Sequence, residues 1–164
     1  MTTNTYICRV LDRFDSFMGV FPADIHPKLP RIKNGFLSAI FNTKLSYETG
    51  IGHWVLISYF CYNEVLFFCE VFEPLGFNND VLPRVIKEYI RGLNVRVKYT
   101  TREIQSINSN FCGFFCIARF LSIYYDEKLS TFLNKFNKSP LITNDDKCVK
   151  LIQIYINKIN ETFV

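Results

Sequence analysis

The sequence contains no CxxC pair and only two histidines, His26 and His53, each far from any cysteine cluster. Zinc fingers and most cysteine–histidine metal sites are thereby disfavoured, and the expectation is no metal ligand set. The first residues, MTTNTYICRVLDRF, lack the basic start and long apolar run of a secretory signal. The six cysteines (8, 61, 69, 112, 116 and 148) are therefore expected as free thiols in a reducing compartment, in a protein that is not secreted. No apolar run is long enough for a membrane span, because Trp54–Phe72 is broken by Asn63, Glu64 and Glu70. No internal repeat, low-complexity tract or linker divides the chain, so residues 1–164 are expected to form a single soluble domain.

What the chain does have is aromatic bulk, with 17 phenylalanines and 9 tyrosines in 164 residues, enough to build a core without disulfide staples. The net charge of +4 is modest but uneven. Arg84, Lys87, Arg91, Arg96, Lys98 and Arg102 meet only Glu88 and Glu103 between 84 and 103, so this stripe reads either as a solvated face or as a track for DNA phosphates. Local patterning predicts an irregular proline-rich loop at 22–30 and a short amphipathic helix at 32–42, from apolar residues at 36, 37, 40 and 41. Segments 54–60 and 65–73, rich in aromatic and β-branched residues, predict a hairpin that turns at Tyr62–Asn63. A helix over 78–92 capped by Asn79 or Asp80, a strand over 94–100, a buried helix over 112–125 and a closing helix over 145–160 follow. The fold class is α+β, with a central, mostly antiparallel sheet and helices packed around it.

The hairpin suggests a site. With its turn at Tyr62–Asn63, His53 falls opposite position 72, 73 or 74, with Glu73 in the middle of that window. Directly opposite side chains share a face with Cβ atoms ~5 Å apart, close enough for an imidazole–carboxylate hydrogen bond. The pair reads as a base with its orienting acid or as a structural ion pair at a hairpin mouth. Glu70, three positions away, is expected on the opposite face, as a solvated or edge residue. Cys112 tilts the balance. It begins an apolar run just after the candidate caps Asn108, Ser109 and Asn110. A thiol in the first turn of a helix meets unpaired N–H groups and the positive helix end, both of which favour thiolate. Gly113 leaves room for a substrate backbone, whereas Cys116, one turn deeper among Phe and Ile, reads as an inert core thiol. The Cys112 N–H and the side-chain amide of Gln105 are candidate donors to an oxyanion.

These residues occur in the order His, acid, Gln, Cys, and the motifs around them resemble the adenovirus maturation protease (adenain) family of cysteine endopeptidases. The quoted stretches are FMG at 17–19, SAIFNT and ETGIGHW within 38–54, VFEPLGF at 71–77 and QSINSNFCGFFC at 105–116. The resemblance implies an adenain/ubiquitin-like-protease type fold with its nucleophile at a buried helix N-terminus. It implies Cys112 as nucleophile, His53 as general base then acid, Glu73 as the orienting acid, and Gln105 with the Cys112 N–H as the oxyanion hole. Trp54 is a family hallmark that would shield the pair, while Gly50, Gly52 and the 17–21 segment would border the substrate groove. His26 falls in a variable loop and is not expected to be catalytic.

The activity so implied is cleavage of viral capsid or core precursors after small, Gly-rich motifs during virion maturation, by a monomer in the virion and in the nucleus or cytoplasm of the infected cell. The family also includes stimulation by DNA, here through the 84–102 stripe, and by a viral peptide. The family's peptide-linking cysteine, eleven residues before the oxyanion glutamine, is Asn94 here. No cofactor is required by the sequence itself. Two other readings stand beside this one: a deconjugating isopeptidase for ubiquitin-like modifiers, which usually carries Asp as the acid, and a catalytically silent relative serving as a binding or structural protein.

Overall fold

The computed structural model describes residues 3–77 and 81–162, and it is α+β. A five-stranded sheet runs in the order β1 (Phe17–Phe21), β2 (Asn34–Asn42), β3 (Trp54–Tyr62), β4 (Val65–Phe72) and β5 (Arg96–Tyr99). The two inner pairings, β2–β3 and β3–β4, are antiparallel, whereas β1–β2 and β4–β5 are parallel. The sheet is thus mixed rather than mostly antiparallel. Both edge strands return to the sheet through connections that leave the sheet plane, which produces parallel neighbours.

Helices cover both faces. On one lie α1 (Asn4–Leu11), α3 (Cys112–Tyr124), the short α4 (Leu129–Leu133) and α5 (Asn144–Thr162), packed on Ile40, Trp54, Leu56 and Phe72. On the other, α2 (Arg84–Gly92) lays Ile86 and Ile90 over Leu37, Phe41, Val55, Ile57 and Val71. A strand covered on both faces has no solvent side and so shows no alternation. This explains the main misreading of the sequence: 32–42 is a strand, not an amphipathic helix. Leu37–Phe41 are all buried, and the small residues that mimicked a helical spacing are interior as well. Ser38 bonds Ser58 directly across the β2–β3 ladder at 2.8 Å, and Ala39 is fully buried on the α2 face.

The hairpin, the 94–100 strand and the last two long helices lie where the sequence places them, and the 22–30 loop is irregular. The helix expected over 78–92 begins later, at Arg84 after Pro83; the proposed caps Asn79 and Asp80 lie outside the described residues. The backbone of α3 is capped by Phe111 rather than by the side chain of Asn108, Ser109 or Asn110. From Cys112 to Ile123 this helix is buried except at Phe114. Each fully buried Phe or Ile contributes roughly 2 kcal/mol of hydrophobic stabilisation, which makes α3 the best anchored helix of the fold. Among the described residues, no helix is long and apolar enough to cross a membrane.

Candidate active site

Three segments meet at one end of the sheet. His53 immediately precedes β3, Glu73 immediately follows β4, and Cys112 opens α3. His53 is tethered to the end of β2, its N–H bonding Thr43 Oγ1 at 2.9 Å and its carbonyl accepting from Thr43 N at 2.8 Å. Its Nε2 lies 2.6 Å from Glu73 Oε1. With Nε2 so engaged, Nδ1 is the ring nitrogen open to another group, and the Cys112 thiol is the second side chain that acts on the ring.

The pair forms, but not through the direct cross-strand opposition that the hairpin suggested. Phe67 is an extra residue on β4, a bulge that moves the register from Cys61↔Leu66 to Phe60↔Phe68. Carried on past Leu56↔Phe72, that register sets Val55, not His53, level with Glu73. Glu73 reaches the ring because the chain leaves the strand there and wraps around its own carboxylate. Leu75 N donates to Oε1 at 2.8 Å and Phe77 N to Oε2 at 3.1 Å. Gly76, at φ +71°, closes the turn onto the Glu73 carbonyl at 3.1 Å. With three donors on it, a carboxylate only 1% exposed remains satisfied.

Burial of His53 is the largest single influence on its imidazole and favours the neutral ring. The hydrogen bonds and charges of Cys112 and Glu73 together outweigh it and hold the pKa up at about 9. The side chain of His53 is 19% exposed and Cys112 is 8% exposed, so both groups are largely shielded from solvent. Cys112 is the first residue of α3, where the leading backbone N–H groups have no partner within the helix. Cys116 is fully buried, donates to the Trp54 carbonyl at 3.5 Å, and has its thiol pushed well up, first by burial.

Gln105 is 2% exposed and bound on both sides of the site. Its backbone N–H and that of Ile104 both donate to the Pro74 carbonyl, at 3.1 and 3.0 Å, beside Glu73. Its Nε2 donates to the Ser109 carbonyl at 2.8 Å. A carbonyl accepts only, so the amide nitrogen must face it, leaving a second Nε2 hydrogen for another acceptor. Gln105 Oε1 is buried and, among the described residues, has no hydrogen-bond partner.

The three residues expected to border the substrate divide. Gly50 and Trp54 line a cleft of about 310 Å³ with Phe21, Pro22, Lys44 and Glu48. Gly52 does not line it, and a Cβ there would sit 1.7 Å from Asn42 Oδ1, so packing against β2 accounts for that glycine. His26 stacks on Tyr89 with ring centroids 4.3 Å apart, away from this cluster.

Two other expectations change. Glu70 is not solvated: it is 4% exposed and grips Arg119 of α3 through two bonds of 2.8 and 3.0 Å. Strand alternation sets the face on which Glu70 stands, and α3 lies across that face and buries it. The basic stripe is broken too, since Arg84 pairs with Glu88 and Arg102 bonds Asn134 and the Phe136 carbonyl. Lys87, Arg91 and Arg96 remain together around a cleft of about 400 Å³.

A larger cavity, about 960 Å³, lies at the other end of β3 and β4, against Phe36, Phe60, Phe68 and the C-terminal end of α3. It contains no histidine, so the site is placed by its chemistry rather than by cavity size. Among the described residues, no group of three or more His, Cys, Asp or Glu is placed to hold a metal ion. No protein-family model matches the sequence, and a search of curated proteins finds no match.

Proposed function

We propose that the chain is a cysteine endopeptidase of the adenain type that cuts viral capsid or core precursors during virion maturation. The observation that carries the reading is the convergence of Cys112, His53 and Glu73: a 2.6 Å bond joins the imidazole to a carboxylate whose other bonds are all made, and the thiol that acts on the same ring sits on a helix start.

The chemistry follows from the arrangement. His53 is held protonated to about 9, and the active form proposed here pairs that imidazolium with the Cys112 thiolate. The thiolate attacks the scissile carbonyl carbon, and the developing oxyanion is received by the Cys112 N–H and the second Nε2 hydrogen of Gln105. His53 gives its proton to the departing amine as the C–N bond breaks, leaving a thioester. Water then loses a proton to His53 and attacks that thioester; the C–S bond breaks, the acid product leaves and the thiolate is restored. Glu73 keeps the ring oriented and balances its charge throughout.

The Glu-Pro-Leu-Gly-Phe turn at 73–77 favours this reading over a deconjugating isopeptidase. Stimulation by DNA is assigned to Lys87, Arg91 and Arg96 rather than to the whole 84–102 stripe, and it is expected to disappear as salt screens those charges. The test is hydrolysis of Gly-rich peptides with an upstream aliphatic residue, run beside a ubiquitin-like probe carrying a C-terminal thiol trap. Turnover of the peptide with no labelling by the probe supports the proposal. Labelling by the probe alone replaces it with the isopeptidase, and inertness to both with the silent relative.

A further inference from the structure

The helix α5 reaches back to the loop that carries Gln105, through its first two residues. Asn144 is fully buried and donates through Nδ2 to the Ile104 carbonyl at 2.9 Å, while its Oδ1 accepts from Asn137 N at 2.8 Å. Asp145 Oδ1 accepts from the Ser109 hydroxyl at 2.9 Å. That hydroxyl also accepts from Phe111 N, the residue before Cys112, at 3.1 Å, and the Ser109 carbonyl is the group to which Gln105 Nε2 is bound. One residue thus joins the amide, the start of the nucleophile's helix and α5.

Resting on the peptidase reading, we propose that Ser109, braced by Asp145, is the positioning residue that aims the Gln105 amide at the oxyanion. Two independent features carry this. Among the described residues Gln105 Oε1 has no partner although it is buried, an unfavourable arrangement that persists where the amide is kept for its donor end. The aim of that donor then depends on the Ser109 carbonyl, because among the described residues it is the one hydrogen-bond partner of that side chain. The Ser109 hydroxyl, accepting from one side and donating to the other, fixes where its own carbonyl points.

The test separates aiming from general damage. Alkylation of a thiolate by iodoacetamide displaces iodide at a tetrahedral carbon and forms no oxyanion, whereas peptide hydrolysis does. The full chain carrying Ser109→Ala or Asp145→Ala is expected to lose about tenfold to a hundredfold in kcat with KM nearly constant, a typical penalty for misplacing a catalytic donor. Its Cys112 alkylation rate stays that of the unmutated chain. Ser109→Thr and Asp145→Asn, which keep the hydroxyl and an acceptor oxygen, retain most of kcat and guard against loss of folding in the alanine variants. An active parent chain whose two alanine variants keep full kcat overturns this assignment alone, as does a matching fall in alkylation rate. A parent chain that alkylates like a simple thiol and hydrolyses no peptide overturns the peptidase reading and this assignment with it.

Discussion

Arg119, in the middle of α3, is clamped by Glu70 of β4 in a two-bond ion pair of 2.8 and 3.0 Å that is almost wholly buried. Its remaining reach goes to Ser122 Oγ and the Glu127 carbonyl, so the guanidinium ties the helix to the sheet and to the turn that follows the helix. Removing one charge strands the other in the core. Arg119→Met or Glu70→Gln alone is expected to cost roughly 3–5 kcal/mol in urea unfolding, and the double variant Arg119→Met/Glu70→Leu much less. Single variants within 1 kcal/mol of the parent, on the order of ordinary surface changes, would refute a locking role for the pair.

The two cysteines of α3 should part company. Cys112→Ser is expected to lose about a thousandfold or more in peptide turnover, because a hydroxyl is far less readily ionised than a thiol. Cys116→Ser keeps most of its turnover and pays instead in stability, about 1–2 kcal/mol for a hydroxyl in an apolar pocket. Steady-state kinetics beside thermal melts read both effects, and comparable kinetic losses would mean that the nucleophile is misassigned.

A pH profile tests the charge on His53. Its protonated form is the active one in the proposed chemistry, so kcat/KM should fall on the alkaline side as the ring loses its proton near about 9. Glu73 and Cys112 raise that value against burial, so Glu73→Gln should draw the alkaline limb downward in pH as well as lower the plateau. An unmoved limb in that variant would separate Glu73 from the imidazole's titration.

Gly76 is held to glycine twice over. Its φ is +71°, and a Cβ there would lie 2.4 Å from the backbone nitrogen of Glu103. Gly76→Ala is expected to cost more than about 2 kcal/mol and to lower kcat at least tenfold, since the turn around Glu73 must move away from the Gln105 loop. Ala at Gly35, where φ is also positive but nothing lies within 4 Å, is the control: strain without collision, and no change in kcat.

Much of this arrangement was legible in the residues. The hairpin, the buried run that starts at Cys112 and the order His53, Glu73, Gln105, Cys112 came from local pattern, and local pattern reports well on turns and helix starts. Burial on both faces was not legible: it erased the alternation of β2 and made Phe36, Leu37, Ile40 and Phe41 imitate a helix. Nor was the bulge at Phe67, which a hairpin's composition does not encode and which shifted the register on which the His53–Glu73 pairing was argued. The long-range polar ties, Glu70 to Arg119 and Ser109 to Asp145, span 49 and 36 residues, and nothing in either local sequence announces its partner.

The oxygen of Pro74 takes hydrogen bonds from two successive amides, Ile104 and Gln105, one residue beyond the carboxylate that steadies the imidazole. On the proposed reading, the acid that orients the ring and the amide offered to the oxyanion are thereby mounted on one backbone bracket. A substitution that shifts Pro74 is then expected to disturb both at once.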